Sequence, residues 1–371
     1  MTKNNPSNKI TLSGSAVFAT LVVVIMGANF LDLPYSAVKY GGPSGYWSVG
    51  IAFLLIIPVV TVAIGLQKRF PNQNLLELAP VVIGRPLALI GNLLFICMYF
   101  IWLIFALRDG SEMIHSYLLN RTPLLAVMLI LLVCIGYVAV NGLSAVIRFI
   151  NFLVIPTYIL RLFIEILTFQ QMKSTHLLPL FSETPERYLM GGLSLIGYFL
   201  PVTAIFLLYH RLKQPEKVGS AVFGALAGIF PVYLLAFLGT VGNFGAKYTL
   251  TFAWPEIAAT NHINIPLLVM EQMGLLFLIV WITTFFSTKT LYFYIIGNGL
   301  KTIFPKLKYR WVVFGLLILV GGGAMFFPNS IVVRKAFIWV RPWLMIPATF
   351  YPFLVYLIAV MRGKRGKQNE K

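Results

Sequence analysis

Lys289 stands in the run FFSTKTLYFY, with aromatic and aliphatic residues around it and no acid close by in sequence. A lysine in such surroundings either acts as a proton switch or finds a carboxylate across a packed interior. Glu271 shares its apolar run but lies about 27 Å away along a helix rising roughly 1.5 Å per residue, too far to pair with it. Two opposite-charge pairs recur at helical spacing: Arg108 with Glu112 in LRDGSEM, where Asp109 lies between them, and Arg161 with Glu165. Residues four apart meet on one helix face. Each pair therefore either neutralises itself as structural glue or takes part in ligand, proton or gating work.

Backbone irregularity adds a second kind of chemistry. IMGANFLDLP carries Gly27, Ala28 and Asn29 ahead of Asp32 and Pro34, and a later segment places Gly191, Gly192 and Gly197 ahead of Tyr198 and Pro201. Glycine permits an unwound turn, and proline leaves an upstream carbonyl without its donor. Such freed groups can hold the charged ends of an amino acid, half-helix amino termini favouring its carboxylate and freed carbonyls its ammonium. The plainer reading, a kink or packing notch, applies to either segment taken alone.

These residues need a scaffold, and composition says which. The chain has 371 residues, 59% hydrophobic and 11% charged, with a mean hydropathy of +0.85. A soluble domain carries about 25% charged residues, so this chain requires a bilayer. Runs long enough to cross about 30 Å of hydrocarbon occur near residues 10–34, 46–66, 87–118, 123–141, 143–169, 189–209, 218–241, 265–299, 311–328 and 336–361. Each is expected to be a helix, because lipid offers the backbone no hydrogen-bonding partner. The two irregular segments fall in spans one and six, the corresponding members of two sets of five.

With the amino terminus inside, 18 of the 29 Lys and Arg residues fall on inner segments, including Lys68, Arg69, Arg211, Lys213 and the tail MRGKRGKQNEK. The outer segments, to which Arg334, Lys335 and Arg341 are assigned, hold fewer, so both termini are expected to be cytoplasmic. The net charge of +18 thus reads as topology, with attraction to anionic membrane lipids as a secondary effect. No compact basic domain suggests nucleic acid. Cys97 and Cys134 form no CxxC, and the four histidines form no ligand motif, so no metal or other cofactor is expected. No nucleophile with its base and no phosphate loop points to an enzyme.

Several segments in order resemble one known family: MGANFLDLP, RFPNQNLLELAPVVIGRPL, ALRDGSEMIHSYLLNRTPL, NGLSAVIRFINFLVIP, HLLPLF and WPEIAATNHINIPLLVMEQMGLLFLIVWITTFFSTKTLYFY. Together they are similar to the spore germination receptor B-subunit family, the spore permease branch of the amino acid, polyamine and organocation transporter superfamily. The resemblance runs from about Ile10 to Arg365. It implies an all-α integral membrane fold of ten helices in two inverted five-helix repeats, residues 10–169 and 189–361, with helices one and six broken. The whole chain, 1–371, is then one transporter-like domain ending in a basic cytoplasmic tail, 362–371.

The resemblance further implies residence in the inner membrane of a bacterial endospore and work alongside an A subunit and a lipoprotein C subunit. A small nutrient germinant, commonly an amino acid, is recognised where helices one, three, six and eight meet. Carried onto this chain, the pocket comprises Gly27, Ala28 and Asn29 beside Gly197, Tyr198 and Phe199, with Asp109 and Thr288 as further walls. Arg108, Glu112, Arg161, Glu165 and Lys289 are the intramembrane charges available for coupling. One departure stands out: where the family usually carries a Glu-Arg pair followed by an acid, this chain reads Glu271-Gln272-Met273-Gly274. The expected function is a germinant sensor; the alternative is a proton- or cation-coupled amino acid transporter using the same pocket.

Overall fold

The computed structural model describes residues 11–27, 30–263 and 273–366. In chain order the helices are α1 (Gly14–Met26), α2 (Leu33–Gly41), α3 (Tyr46–Arg69), α4 (Leu75–Ile83), α5 (Arg85–Tyr117), α6 (Leu124–Val140) and α7 (Leu143–Leu167). Then follow α8 (Pro185–Phe199), α9 (Ile205–Leu208), α10 (Val218–Thr249), α11 (Pro255–Asn261), α12 (Met273–Ile303), α13 (Tyr309–Met325) and α14 (Ser330–Met361). Among the described residues, seven segments are long and apolar enough to cross a bilayer, and α1, α6 and α13 are shorter apolar helices. These are the ten spans, α1 with α2 forming the first and α8 with α9 the sixth.

The outer surface fits that assignment. Leu54, Phe152, Ile155, Tyr137, Phe326 and Trp339 all point away from the bundle, as do Cys97 and Cys134. A soluble monomer would not tolerate so much exposed apolar surface, whereas hydrocarbon accepts it without cost.

Packing repeats with an internal symmetry. The first span packs on α10 as the sixth packs on α3; α5 packs on α14 as α12 packs on α7; α5 meets α13 as α12 meets α6. The α5–α12 and α3–α10 contacts map onto themselves under the same exchange. Because each set contains five spans, the second begins on the opposite side of the membrane, so the repeats are inverted. The segments leading into α1 and out of α9 are pinned together by a single β-bridge, Leu12 N donating to Arg211 O at 2.6 Å and Lys213 N to Leu12 O at 2.8 Å.

Two short helices lie outside the ten spans. Helix α4 begins with a capping box: Asn74 accepts from the backbone of Leu76 and Glu77, and Glu77 accepts from Asn74 N at 3.0 Å. Asn92 of α5 donates to Leu76 O at 3.0 Å and accepts from Tyr351 of α14 at 2.6 Å, fastening α4 across two spans. Helix α11 caps the other end of the bundle and sends Glu256 into its interior.

Close approach of α8 to α3 depends on two glycines. A Cβ on Gly191 would collide with Ser48, and one on Gly192 with Ile51 at its branched Cβ. By contrast Gly315 in α13 faces open space. Gly192→Val is expected to lower stability by about 1–3 kcal/mol through overpacking, while Gly315→Ala is neutral or raises it by up to about 1 kcal/mol. Thermal unfolding of the two purified variants in one detergent checks both signs.

Candidate functional site

The first span stops being α-helical at Met26, where Gly27 supplies the cap and donates to Val23 O at 2.8 Å. Ala28 and Asn29, two of the expected pocket residues, lie outside the described residues, and the chain resumes as a short 3-10 turn, Phe30–Asp32, before α2. The sixth span changes character at Leu200: α8 gives way to the 3-10 stretch Leu200–Ala204, which contains Pro201, and then to α9. Both interruptions free main-chain carbonyls, which cost several kcal/mol each in a dry interior if left alone.

One side chain serves both breaks. The Tyr233 hydroxyl on α10 lies 2.7 Å from Ile25 O and 3.2 Å from Tyr198 O, so the ends of the two half-helices converge on it. Tyr198 itself reaches α2, its hydroxyl 3.1 Å from Ser36 Oγ. Phe199 turns the other way, against the rings of Tyr233 and Phe53.

Helix α12 lies along the first break. Thr288 Oγ1 donates to Thr284 O at 2.8 Å and sits 3.3 Å and 3.4 Å from the carbonyls of Val24 and Val23. Gly27 fits because it lacks a side chain: a Cβ there would strike Thr284 O and Thr288 Oγ1. Lys289, buried, points its ammonium at Gly27 O, 3.4 Å away, and over the rings of Phe285 and Tyr292. A freed carbonyl at a half-helix carboxyl end is a favourable neighbour for a cation.

A cavity opens beside this junction. Its walls include Gly197, Tyr198, Lys289, Tyr292, Trp102 and Arg341, and water-sized centres can occupy about 30 Å³ of it, room for two or three waters. Trp102 and Tyr292 stack with ring centroids 6.2 Å apart, forming a flat aromatic wall. Arg341 donates to Ser194 Oγ at 2.7 Å and lies over the Tyr198 ring. Gly197 gives that guanidinium stem its space, since an added Cβ would sit 3.2 Å from Arg341 Cδ. Among the described residues neither Lys289 nor Arg341 has a carboxylate within ion-pair distance. Of the residues expected at the pocket, Gly197 and Tyr198 therefore line this cavity, whereas Gly27 and Thr288 form the packed seam beneath it.

Asp109 lines a neighbouring chamber instead, with Asp32, Arg334, Trp254 and Trp281. Phe337 borders both spaces. The charge pairs have separate roles. Arg108 meets Glu112 at 2.6 Å and donates to the carbonyls of Phe327 and Pro328, tying α5 to the link between α13 and α14. Arg161 meets Glu165 at 2.6 Å, as the spacing suggests, but also pairs with Glu256 of α11 and lies over the Phe277 ring.

Three participants are not singled out by the sequence. Tyr233 carries no signal beyond being a polar tip in an apolar span next to Pro231. Glu256 lies in the short helix α11, 95 residues from its partner Arg161. Arg341, assigned above to an outer segment although it falls within the run 336–361, is a buried residue of α14, which starts at Ser330, capped by Asn329. Of the departure at Glu271-Gln272-Met273-Gly274, the first two residues lie outside the described residues; Gly274 packs where a Cβ would meet the Asn261 side chain.

Comparison with known proteins gives a consistent picture. The chain is 29% identical over 331 residues to spore germination protein A2 of Bacillus subtilis, covering 85% of this chain and 86% of that protein. It is 24% identical to spore germination protein YndE over 84% of this chain and 86% of the relative, and 24% identical to spore germination protein B2 over 71% and 72%, both also from Bacillus subtilis. Among solved structures it resembles Mhp1, a nucleobase-cation-symport-1 family transporter in a closed conformation with bromovinylhydantoin bound. The TM-score is 0.61 with 15% identity, over 97% of this chain and 86% of the other, which is a likeness of fold. A family model described as spore germination protein matches residues 11–327. This chain belongs to the spore germination protein family, the spore permeases.

Proposed function

We propose that this chain is the germinant-sensing subunit of a spore germination receptor, and that its ligand is a small carboxylate-bearing solute, an amino acid, taken into the central cavity. One observation carries the reading: two buried cations, Lys289 and Arg341, line a cavity beside the helix breaks, and among the described residues neither has a carboxylate within ion-pair distance, Asp109 acting on Lys289 only from farther off. Uncompensated buried charge is costly, and an incoming carboxylate would satisfy it with charge-assisted hydrogen bonds. The aromatic wall of Trp102 and Tyr292 would receive an apolar side chain.

A sensor must do more than bind. Ligand shifts a conformational population only if it prefers one member of it. With room for only two or three waters, the cavity has to enlarge to admit an amino acid, so binding selects an arrangement different from this compact one. Partner subunits, an A-type subunit and a lipoprotein C-type subunit on the family resemblance, would read that change. The cation distribution supports cytoplasmic termini, and family membership supports the inner spore membrane as the site of action.

A second reading, coupled amino acid transport, is favoured by the transporter-like fold and by the Lys289 ammonium on Gly27 O, a cation placed where a freed carbonyl could exchange it. Uptake by the purified chain in liposomes separates the two. The sensor reading expects no concentrative, gradient-driven accumulation of any germinant that binds, and such accumulation would overturn it. In the reconstituted three-subunit receptor, Arg341→Gln is expected to weaken radioligand binding roughly tenfold to a hundredfold, the value of one charged hydrogen-bond partner. Unchanged affinity in a folded Arg341→Gln receptor would remove the central-cavity assignment.

A further inference from the structure

The chamber on the α11 side of Phe337 is built from groups that the function proposed above does not use. Trp281 is 98% buried, yet its indole N–H finds no hydrogen-bond acceptor among the described residues, whereas Trp254, 92% buried, is directed at the Asp109 carboxylate. Oδ1 of Asp109 is buried with no donor in good hydrogen-bond geometry, the Trp254 indole and the Arg334 charge being the groups that face this carboxylate. All three residues line the same space, together with the charged side chains of Asp32 and Arg334. Buried polar groups are ordinarily satisfied, and each lone one costs about 1–3 kcal/mol. Two such groups around one chamber, the Trp281 N–H and Asp109 Oδ1, describe the complement of a missing molecule.

Their chemistry specifies its class. The Trp281 N–H and a guanidinium call for an acceptor bearing negative charge; two carboxylates call for a cationic donor. A separate anion would face Asp32 and Asp109, and a separate cation would leave the Trp281 N–H unanswered. A zwitterion satisfies both sets at once. The aromatic faces of Phe105 and Phe337 complete the wall and suit an ammonium beside them. The chamber's volume of about 30 Å³ holds two or three waters, so it, like the central cavity, has to widen to admit a zwitterion.

The chamber is also held in shape. Trp254 precedes α11, whose Glu256 is buried in the ion pair with Arg161, so the roof is fastened to α7 rather than left loose. Arg334 lies over the Trp254 ring, its guanidinium 5.8 Å from the ring centre. Asp109 sits one residue from Arg108, which is anchored through Glu112, Phe327 and Pro328.

We propose that this chamber is a second amino-acid subsite, separated from the central cavity by Phe337, which holds the ammonium of a zwitterion on Asp109 and Asp32 and its carboxylate on the Trp281 N–H and Arg334. The proposal rests on the amino acid reading of the central cavity but assigns a distinct site. Occupancy of both would place two ligands in line along one path, with the Phe337 ring between them.

The test uses the full chain in lipid nanodiscs and equilibrium dialysis against radiolabelled common amino acids. Wild type is expected to bind two equivalents of the amino acid it accepts. Asp109→Asn and Trp281→Phe should each weaken one equivalent roughly tenfold or more while Arg341→Gln affects the other. Propionate and ethylamine, each carrying half of the zwitterion, should compete poorly at the Asp109 site. Tryptophan emission supplies a second readout: because Trp102 lines the central cavity, it is recorded in Arg341→Gln, where the zwitterion should still shift emission and Trp281→Phe in the same background should abolish that shift. A single equivalent, lost in Arg341→Gln but untouched by Asp109→Asn and Trp281→Phe, overturns the second subsite and leaves the central cavity standing. Competition by ethylamine as strong as that of the amino acid also overturns it. Absence of binding by every amino acid overturns both assignments.

Discussion

The Tyr233 hydroxyl, within hydrogen-bonding reach of Ile25 O and Tyr198 O, is the contact around which the rest of this molecule is arranged. A bilayer interior forbids unsatisfied main-chain groups, so a helix may be interrupted there only where protein or enclosed water takes over its hydrogen bonds. The fold interrupts two helices at one depth and brings both loose ends to a single phenol on α10. That convergence fixes the spacing of the half-helices, and the spacing defines the cavity. Thr288 and Lys289 close the seam from the other side through the carbonyls of Val23, Val24 and Gly27.

Charge is distributed around this junction in an ordered way. The paired ions, Arg108 with Glu112 and Arg161 with Glu165 and Glu256, hold elements together: one ties α5 to the α13–α14 link, the other ties α11 to α7. The cations without a carboxylate at ion-pair distance among the described residues, Lys289 and Arg341, face the central cavity. Acids with buried unused capacity, Asp109 foremost, face the chamber beyond Phe337. Structural charges are thus neutralised by close ion pairs, while those without one among the described residues line the two cavities. Breaking a buried pair by removing one partner costs about 3–5 kcal/mol, which is why the α11 roof and the α13–α14 link are firm parts of the bundle.

Much of this was legible in the amino-acid order, for a physical reason. Lipid makes hydropathy decide where helices run, so the ten spans could be counted, and glycine with proline marked the two that break. Lys289 was visible because a lone lysine in an apolar run has few innocent explanations. What escaped was whatever depends on partners distant in sequence. Arg161 and Glu165 announce each other at a spacing of four, but Glu256 arrives from the short helix α11. Tyr233 looks like any tyrosine in a spanning helix until two carbonyls are seen to meet it. Counted only as a cation near a span end, Arg341 goes to an outer segment, whereas α14, capped by Asn329, carries it well inside the helix. Helices α4 and α11 are too short for hydropathy to register, and α4 owes its start to a capping box rather than to periodicity.

The account stands or falls on where a solute sits. An experimental structure of the assembled receptor with its germinant bound tests this most directly. Ligand density between Tyr198, Lys289 and Arg341, with a carboxylate in hydrogen-bond range of the guanidinium and the Tyr233 bridge preserved, is the predicted result. Density lodged at a subunit interface, with that cavity still collapsed around its two cations, would contradict it.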